Sequence, residues 1–147
     1  MQNKLTEIWV DKYAPTEIED CILPKNLTEI FLGIQKKEVI PNMILSGTAG
    51  NGKTTIAKLL CKKLGIDYKV INASNKRNID LVRTDIEDYA SSLSMDGKRK
   101  IIILDEADQL TEITQLALRN QIEYFSDICG FIMTCNRPYQ ILSLIHI

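Results

Sequence analysis

One stretch of the sequence decides the fold: Gly47-Thr48-Ala49-Gly50-Asn51-Gly52-Lys53-Thr54. It has the form G-x-x-x-x-G-K-[ST], in which a glycine-rich loop wraps its backbone amides around the phosphates of a nucleotide. An apolar run at 43–45 precedes the loop and is typical of a buried strand. Apolar residues at helical spacing follow over 56–64 and end at Gly65, which suits a helix C-cap. A strand, a glycine-rich turn and a helix in this order predict a phosphate-binding P-loop.

The residue types of this loop fit that chemistry. Glycines let the chain curl so that successive N–H groups and the start of the helix face the phosphates. Lys53 adds a mobile positive charge and is a candidate catalytic residue, and Thr54 is a candidate ligand of Mg²⁺. The candidate nucleotide-binding residues are Gly47, Thr48, Ala49, Gly50, Asn51, Gly52, Lys53, Thr54 and Thr55. The alternative is a glycine-rich turn that only caps a helix.

Strand and helix patterns alternate along the rest of the chain. The predicted strands lie at 68–71, 100–104 and 130–134, and the predicted helices at 79–93, after Thr111, and near Asn26 and Glu29, which have the spacing of a capping box. The helix after Thr111 carries Ile113, Leu116, Ala117 and Ile122. The run at 101–104 is apolar on both faces, as the centre of a parallel sheet requires. This alternation predicts a three-layer α/β domain, with a central parallel sheet flanked by helices.

Composition narrows the function. The 147 residues are 45% hydrophobic and 25% charged, which is typical of one globular domain. With 18 basic and 19 acidic residues, any contact with nucleic acid must come from a local basic patch. The 4 cysteines form no C-x-x-C pair, so we expect reduced thiols. The single histidine is His146, so we expect neither a zinc site nor a catalytic triad. We also expect no membrane span and a cytoplasmic location.

A second acidic motif follows the most apolar strand pattern. The run at 101–104 ends in Asp105-Glu106, which is the form of a Walker B strand. An aspartate at this position holds Mg²⁺ and the next glutamate polarises an attacking water, so hydrolysis as well as binding is predicted. Asn136 ends the following strand, where a catalytic amide would orient that water. The alternatives are an acidic helix N-terminus for the carboxylates and a plain turn asparagine for Asn136.

Together these motifs resemble those of the AAA+ ATPases, and within them the subunits of sliding-clamp loaders. The run Trp9-Val10-Asp11-Lys12-Tyr13-Ala14-Pro15 is similar to the W-V-x-K-Y-R-P box of replication factor C small subunits. The loop at 47–55 has the same group's G-x-x-G-x-G-K-T-T form. Residues 72–83 resemble its N-A-S-D-x-R-x-I-D-x-V-R stretch, and residues 115–123 resemble its Q-x-A-L-R-x-x-x-E helix. Ala14 and Asn75 depart from the pattern.

The resemblance implies an incomplete AAA+ nucleotide-binding domain over 1–141, with a RecA-like P-loop NTPase core. The run Cys21-Ile22-Leu23-Pro24 and the residues before the Walker B strand are similar to those of T-even-type phage clamp loaders. Residues 142–147 do not resemble the family and have the look of a translated sequencing-adaptor read-through. The fifth core strand, the lid domain and the oligomerising collar of the family are therefore expected to be missing.

The resemblance also assigns further roles. The implied adenine and ribose pocket consists of Val10, Tyr13, Cys21 and Ile22, for which ordinary packing is the alternative. Lys76 or Arg77 would pair with Glu106 until DNA draws the cation away. The implied contacts to the DNA backbone are Arg83, Lys98, Arg99 and Lys100, and the implied contacts to the clamp are Leu93 and Met95. Solvated surface charges and core packing are the alternatives for these residues.

These expectations add up to a Mg²⁺-dependent ATPase subunit of a sliding-clamp loader. Its implied partners are other loader subunits in a ring or spiral, the clamp, and primer-template DNA, in the host bacterium's cytoplasm if a phage encodes the chain. Hydrolysis by this core alone is expected to be weak, because a neighbouring subunit supplies the arginine finger. The alternatives are a replication initiator, a branch-migration motor, or a structural subunit that binds nucleotide without hydrolysis. The D-E-A-D letters at 105–108 do not indicate a helicase, because its other motifs are not visible.

Overall fold

The computed structural model describes residues 25–48, 52–74, 79–92, 97–137 and 140. Its elements, in chain order, are α1 (Lys25–Lys37), β1 (Met43–Ser46), α2 (Lys53–Leu64), β2 (Tyr68–Asn72), α3 (Ile79–Ser91), β3 (Lys100–Asp105), a 3₁₀ turn (Ala107–Gln109), α4 (Glu112–Tyr124) and β4 (Cys129–Cys135). Strands and helices alternate after α1, as predicted. Among the described residues, no helix is both long enough and apolar enough to cross a membrane.

The four strands form one parallel sheet in the order β1-β4-β3-β2. Register places Ser46 opposite Cys135 and Asn72 opposite Asp105, so the carboxyl ends of all four strands lie along one edge. The P-loop strand β1 pairs with β4 alone in the described part of the chain. This confirms the predicted α/β fold with a central parallel sheet. The predicted missing fifth strand and the tail at 142–147 concern residues outside those described.

Two apolar clusters, one on each face of the sheet, make the three layers. One cluster joins α3 and α4 to the sheet through residues such as Ile86, Leu118 and Phe131. The other joins α1 and α2 to it and includes Leu60 and Ile132. Because both faces are covered, β4 is buried along its whole length and β3 is buried up to its last residue. The central strands therefore hold the carboxyl-end edge rigidly.

The ends of the helices agree in part with the sequence. Gly65 closes α2 with φ 63°, as predicted for a C-cap, and its N–H bonds back to the helix. The Thr111 side chain accepts the N–H of Thr114 at 3.3 Å and so caps α4. The capping box at Asn26 is wrong, because α1 already begins at Lys25 and Asn26 lies inside it.

Only some of the apolar residues of α4 are buried. Ile113 is 71% exposed and Leu116 is 45% exposed, whereas Ile122 is buried. The helix instead buries Thr114 and Gln115 beside Leu118. The Gln115 amide is satisfied there, because Nε2 donates to Leu110 O at 3.1 Å and to Gln140 O at 3.0 Å. A hydrogen-bonded amide can be buried, and with Thr114 and Gln115 on the buried face, Ile113 and Leu116 lie on the solvent side of the helix.

Candidate functional site

The P-loop connects β1 to α2, as its position in the sequence predicts. The N–H of Gly47 donates to Cys135 O at 3.2 Å, which ties the start of the loop to β4. Gly52 precedes α2 with φ 74°, a left-handed conformation that favours glycine. Ala49, Gly50 and Asn51 lie outside the described residues. The loop thus leads directly into α2. The amino terminus of a helix attracts anions such as phosphate.

The Lys53 ammonium lies across this loop. Its Nζ donates to Gly47 O at 3.0 Å and to Thr48 O at 2.8 Å. These carbonyls are neutral, so an anionic phosphate group would compete well for the same ammonium. Thr55 follows in the first turn of α2 and is half-buried. The described part of the loop therefore places a cation and a helix amino terminus where phosphates are expected.

The two predicted Mg²⁺ ligands meet in the structure. Thr54 Oγ1, at the start of α2, donates to Asp105 Oδ1 at 2.5 Å, at the end of β3. A hydroxyl and a carboxylate are hard oxygen donors, and Mg²⁺ in phosphate sites is commonly held by one or two carboxylates besides phosphate oxygens. This donor pair fits Mg²⁺. In the part of the chain that the structure describes, no cluster of three His, Cys, Asp or Glu side chains forms another metal site.

Glu106 follows Asp105 in an unusual backbone conformation. Its φ is 56° and its ψ is 46°, in the left-handed region. For a residue with a side chain this conformation costs about 1–2 kcal/mol. The 3₁₀ turn closes behind it, since Gln109 N donates to Glu106 O at 3.0 Å. Strained backbone of this kind is often found at functional sites, where the surrounding contacts hold it in place.

A buried threonine holds that conformation from the neighbouring strand. Thr134 Oγ1 accepts the N–H of Glu106 at 3.1 Å and donates to Asp105 Oδ1 at 2.6 Å. Asp105 Oδ1 thus receives hydroxyl protons from both Thr54 and Thr134. The ends of β3 and β4 are bonded through side chains as well as through the backbone ladder.

Asn136 lies directly after β4 and is exposed, at the same edge of the sheet as Asp105. Next to it, Arg137 N donates to Asp108 Oδ2 at 3.1 Å, and Asp108 is only 6% exposed. This bond ties the turn after β3 to the chain after β4. The position of Asn136 at this edge suits the predicted role of orienting water. That catalytic role of Asn136 stays a prediction.

Two residues that matter to this geometry, Thr134 and Asp108, were not among the sequence candidates. Thr134 stands in a run of apolar residues in a strand buried on both faces. A buried hydroxyl needs a hydrogen-bond partner. A threonine within a buried apolar strand therefore indicates a polar contact, and this signal could have identified Thr134. For Asp108, the sequence contains no signal besides its position in the acidic motif at 105–108.

The structure does not bring the basic run at 98–100 to this site. Lys100 begins β3 and the other two residues directly precede it, at the opposite end of the sheet from Asp105. Lys100 is 4% exposed, and its ammonium donates to Tyr89 O at 2.6 Å, to Ser92 Oγ at 2.7 Å and to Ser92 O. The prediction that Lys100 contacts DNA is wrong, because these bonds hold a buried ammonium at the end of α3.

The other two cations of the run also bind the protein's own oxygen atoms. Arg99 donates to Ser126 O at 2.9 Å, to Ile40 O at 3.3 Å and to Asn42 Oδ1 at 3.2 Å. Lys98 donates to Leu64 O at 3.0 Å. These contacts do not support the predicted roles of Arg99 and Lys98 at a DNA backbone.

The remaining candidates divide between the described and the undescribed parts of the chain. Arg83 is exposed on α3. The candidates outside the described residues are Val10, Tyr13, Cys21, Ile22, Lys76, Arg77, Leu93 and Met95. The adenine pocket, the basic switch and the clamp contact therefore stay predictions.

The described cysteines are buried free thiols. Cys61, Cys129 and Cys135 form no disulfide. Burial raises the pKa of Cys61 to about 12 and that of Cys129 to about 11. Burial also raises the pKa of Cys135, next to Asn136. These thiols are protonated at neutral pH, which argues against a thiolate nucleophile among them.

Comparison with known proteins agrees with this geometry. The sequence model described as "ATPase family associated with various cellular activities (AAA)" matches residues 43–146. The replication factor C small subunit of Methanococcus vannielii is 37% identical over 140 residues, which cover 91% of this chain and 44% of that protein. The one from Halobacterium salinarum is 38% identical over 141 residues, covering 92% of this chain and 44% of that protein. The chain thus spans less than half the length of these relatives.

Solved structures show the same fold. The RuvB Holliday junction branch migration motor of Thermotoga maritima aligns with a TM-score of 0.68 and 21% identity, over 90% of this chain and 45% of that one. A variant of the same protein aligns with a TM-score of 0.71 and 20% identity. At this identity the likeness concerns the arrangement of strands and helices alone.

Proposed function

Because the chain belongs to the AAA family of ATPases, we propose that it binds and hydrolyses ATP as the nucleotide-binding core of a sliding-clamp loader subunit. The observation that carries the proposal is the contact between Thr54 of the P-loop and Asp105 of the Walker B strand, with Glu106 next to it. The groups that we propose bind phosphate and activate water therefore lie at one edge of the sheet.

Binding of ATP would begin with the P-loop. The Lys53 ammonium exchanges its bonds to Gly47 O and Thr48 O for phosphate oxygens. Charge-assisted bonds of this kind are roughly twice as strong as bonds between neutral groups. The amino terminus of α2 adds favourable N–H groups and its dipole.

Hydrolysis would depend on Asp105, the last residue of β3, and on Glu106, which follows it. Thr54 and Asp105 would hold Mg²⁺, which neutralises the charge that develops on the phosphate oxygens. Glu106 accepts a proton from the attacking water, and Asn136 orients that water near the γ-phosphate. A neighbouring subunit's arginine is worth about 10³–10⁵ in rate in comparable sites, so fast turnover requires assembly.

The clamp-loader assignment rests on the similarity to replication factor C small subunits. In this role, ATP bound between subunits holds a spiral that opens the clamp, and primer-template DNA triggers hydrolysis and release. Arg83, exposed on α3, contacts the DNA backbone. Lys76 or Arg77 restrains Glu106 until DNA binds, and Leu93 and Met95, which follow α3, contact the clamp. The closer resemblance to phage loaders stays a prediction.

The test measures ATP turnover by the full-length protein in its assembly, with and without primer-template DNA and the sliding clamp. We expect DNA and clamp together to raise kcat by at least tenfold. The matched variant Arg83→Ala should need more DNA for half-maximal stimulation but reach a similar plateau. Turnover that responds to a four-way junction and ignores the clamp would instead favour a branch-migration motor.

A further inference from the structure

We propose that Thr134 is a positioning residue that sets both carboxylates of the site through its single hydroxyl. This inference rests on the proposed function, since it assumes that the site hydrolyses ATP. Thr134 lies in β4, two residues before Asn136, and its side chain is 1% exposed. We do not assign it a contact with the phosphates. Its effect is exerted through Asp105 and Glu106.

The hydroxyl is used in both directions. Oγ1 donates its proton to Asp105 Oδ1 at 2.6 Å and accepts the N–H of Glu106 at 3.1 Å. A hydroxyl has one proton to donate and lone pairs to accept with, so one Ser or Thr side chain can satisfy both neighbours. A valine of the same shape would satisfy neither.

The bond to Glu106 matters because of that residue's backbone. Its φ of 56° is unfavourable for any residue with a side chain, so neighbouring contacts must keep it there. Without the Thr134 oxygen, the Glu106 N–H loses the acceptor that fixes the turn. The carboxylate that polarises water would then move relative to the phosphate. A displacement of about 1 Å in an active site can lower the rate about 100-fold.

The bond to Asp105 acts on the metal ligand. Asp105 Oδ1 receives protons from Thr54 and from Thr134. When Thr54 turns its oxygen toward a metal ion, Thr134 still orients the carboxylate. We therefore expect Thr134 to affect turnover strongly and ATP affinity weakly, because Lys53 and the P-loop amides that bind phosphate are not changed.

The experiment compares three variants of the full-length protein in its assembly: Thr134→Val, Thr134→Ser and Thr114→Val. Thr114 is a matched control, because it is a buried threonine (2% exposed) on α4 whose hydroxyl lies 2.9 Å from that of Thr111. Steady-state kcat and KM for ATP, fluorescent-nucleotide affinity and melting temperature are measured for each. We expect Thr134→Val to lower kcat by about 10- to 100-fold with nucleotide affinity changed less than about threefold. Thr134→Ser should restore kcat to within about threefold of the parent, and Thr114→Val should keep it.

Three other results for turnover would contradict the inference or the proposed function. If Thr134→Val turns over ATP like the parent, the inference is wrong while the proposed function stands. If Ser and Val lower kcat equally, the methyl packing and not the hydroxyl is responsible, and the inference is again wrong. If the parent assembly itself does not hydrolyse ATP, the proposed function fails first. Should Thr134→Val not fold, Thr134→Ala replaces it under the same criteria.

Discussion

Replacing Lys100 by methionine separates a structural role from a DNA-binding role. The ammonium is buried at the end of α3 and donates to Tyr89 O, Ser92 O and Ser92 Oγ. It also lies 4.9 Å from the centre of the Tyr89 ring, at the distance of a cation–π contact. Methionine keeps much of the side chain's length but gives no proton to these oxygens.

The size of the effect follows from the bonds that the ammonium loses. Tyr89 O keeps the N–H and the hydroxyl of Ser92 as donors, and Ser92 is exposed, so neither carbonyl is left buried without a partner. A hydrogen bond from a charged donor contributes about 1.5–3 kcal/mol, so losing the bonds of the Lys100 ammonium should lower the free energy of unfolding by about 2–4 kcal/mol. For a protein of this size or larger, that loss lowers the melting temperature by about 5–15 °C. Lys98→Met is the control, because Lys98 is exposed and, within the described residues, donates to Leu64 O alone. It should cost about 1 kcal/mol or less.

The assay has two parts, both on the full-length protein. Circular dichroism follows thermal unfolding, and fluorescence anisotropy follows binding of primer-template DNA at several salt concentrations, well below the melting temperature. Lys100→Met should melt earlier yet keep the parent's DNA affinity and salt slope. Arg83→Ala should show the reverse, with the salt slope reduced by about one. An unchanged melting temperature together with a smaller salt slope for Lys100→Met would refute the structural role.

Three further predictions concern stability. Gly52→Ala should lower the free energy of unfolding by about 1–2 kcal/mol because of its φ of 74°, whereas Gly33→Ala, in open space within α1, should raise it by about 0.5–1 kcal/mol; urea titrations of both variants test this. Gly130→Ala would place a Cβ 2.8 Å from both Ile101 Cδ1 and Arg99 Nη1, the ends of two side chains that must shift, and should cost about 1 kcal/mol in the same titration. Burial raises the pKa of Cys61 from 9.0 to about 12, so the folded state holds this proton more tightly than the unfolded state, and stability should fall as pH rises above about 9. Unfolding at pH 8 and pH 10 measures that slope, and Cys61→Ala should show a smaller slope, since it keeps only the contributions of Cys129 and Cys135; an equal slope in both proteins would contradict the prediction.

Local patterns predicted much of the fold. The P-loop lies between β1 and α2 because its glycines and the flanking apolar runs specify that order over a few residues. The run at 101–104 is buried in the sheet's interior because it is apolar on both faces. The meeting of Thr54 with Asp105 follows from the same reasoning, since parallel strands end at one edge.

Features that depend on tertiary contacts were harder to predict. The buried face of α4 includes Gln115, whose amide is hydrogen-bonded there. The helical spacing of apolar residues gives no information about such bonds. The basic run at 98–100 has the composition of a surface patch, yet Lys100 is buried because the end of α3 offers it backbone oxygens. Thr134 was missed because a β-branched residue is common in any strand. In these cases the role of the residue depends on the atoms that it contacts in the folded chain, and not on its residue type.

Whether Glu106 activates the attacking water is decided by measuring ATP binding and ATP turnover for Glu106→Gln in the full-length assembly. Glutamine keeps the shape and the backbone bond to Thr134 but accepts no proton from water. We expect nucleotide affinity within about threefold of the parent and turnover lowered by at least about 100-fold. Turnover close to that of the parent, or affinity and turnover lost together, would contradict the assignment of Glu106 as the residue that activates water.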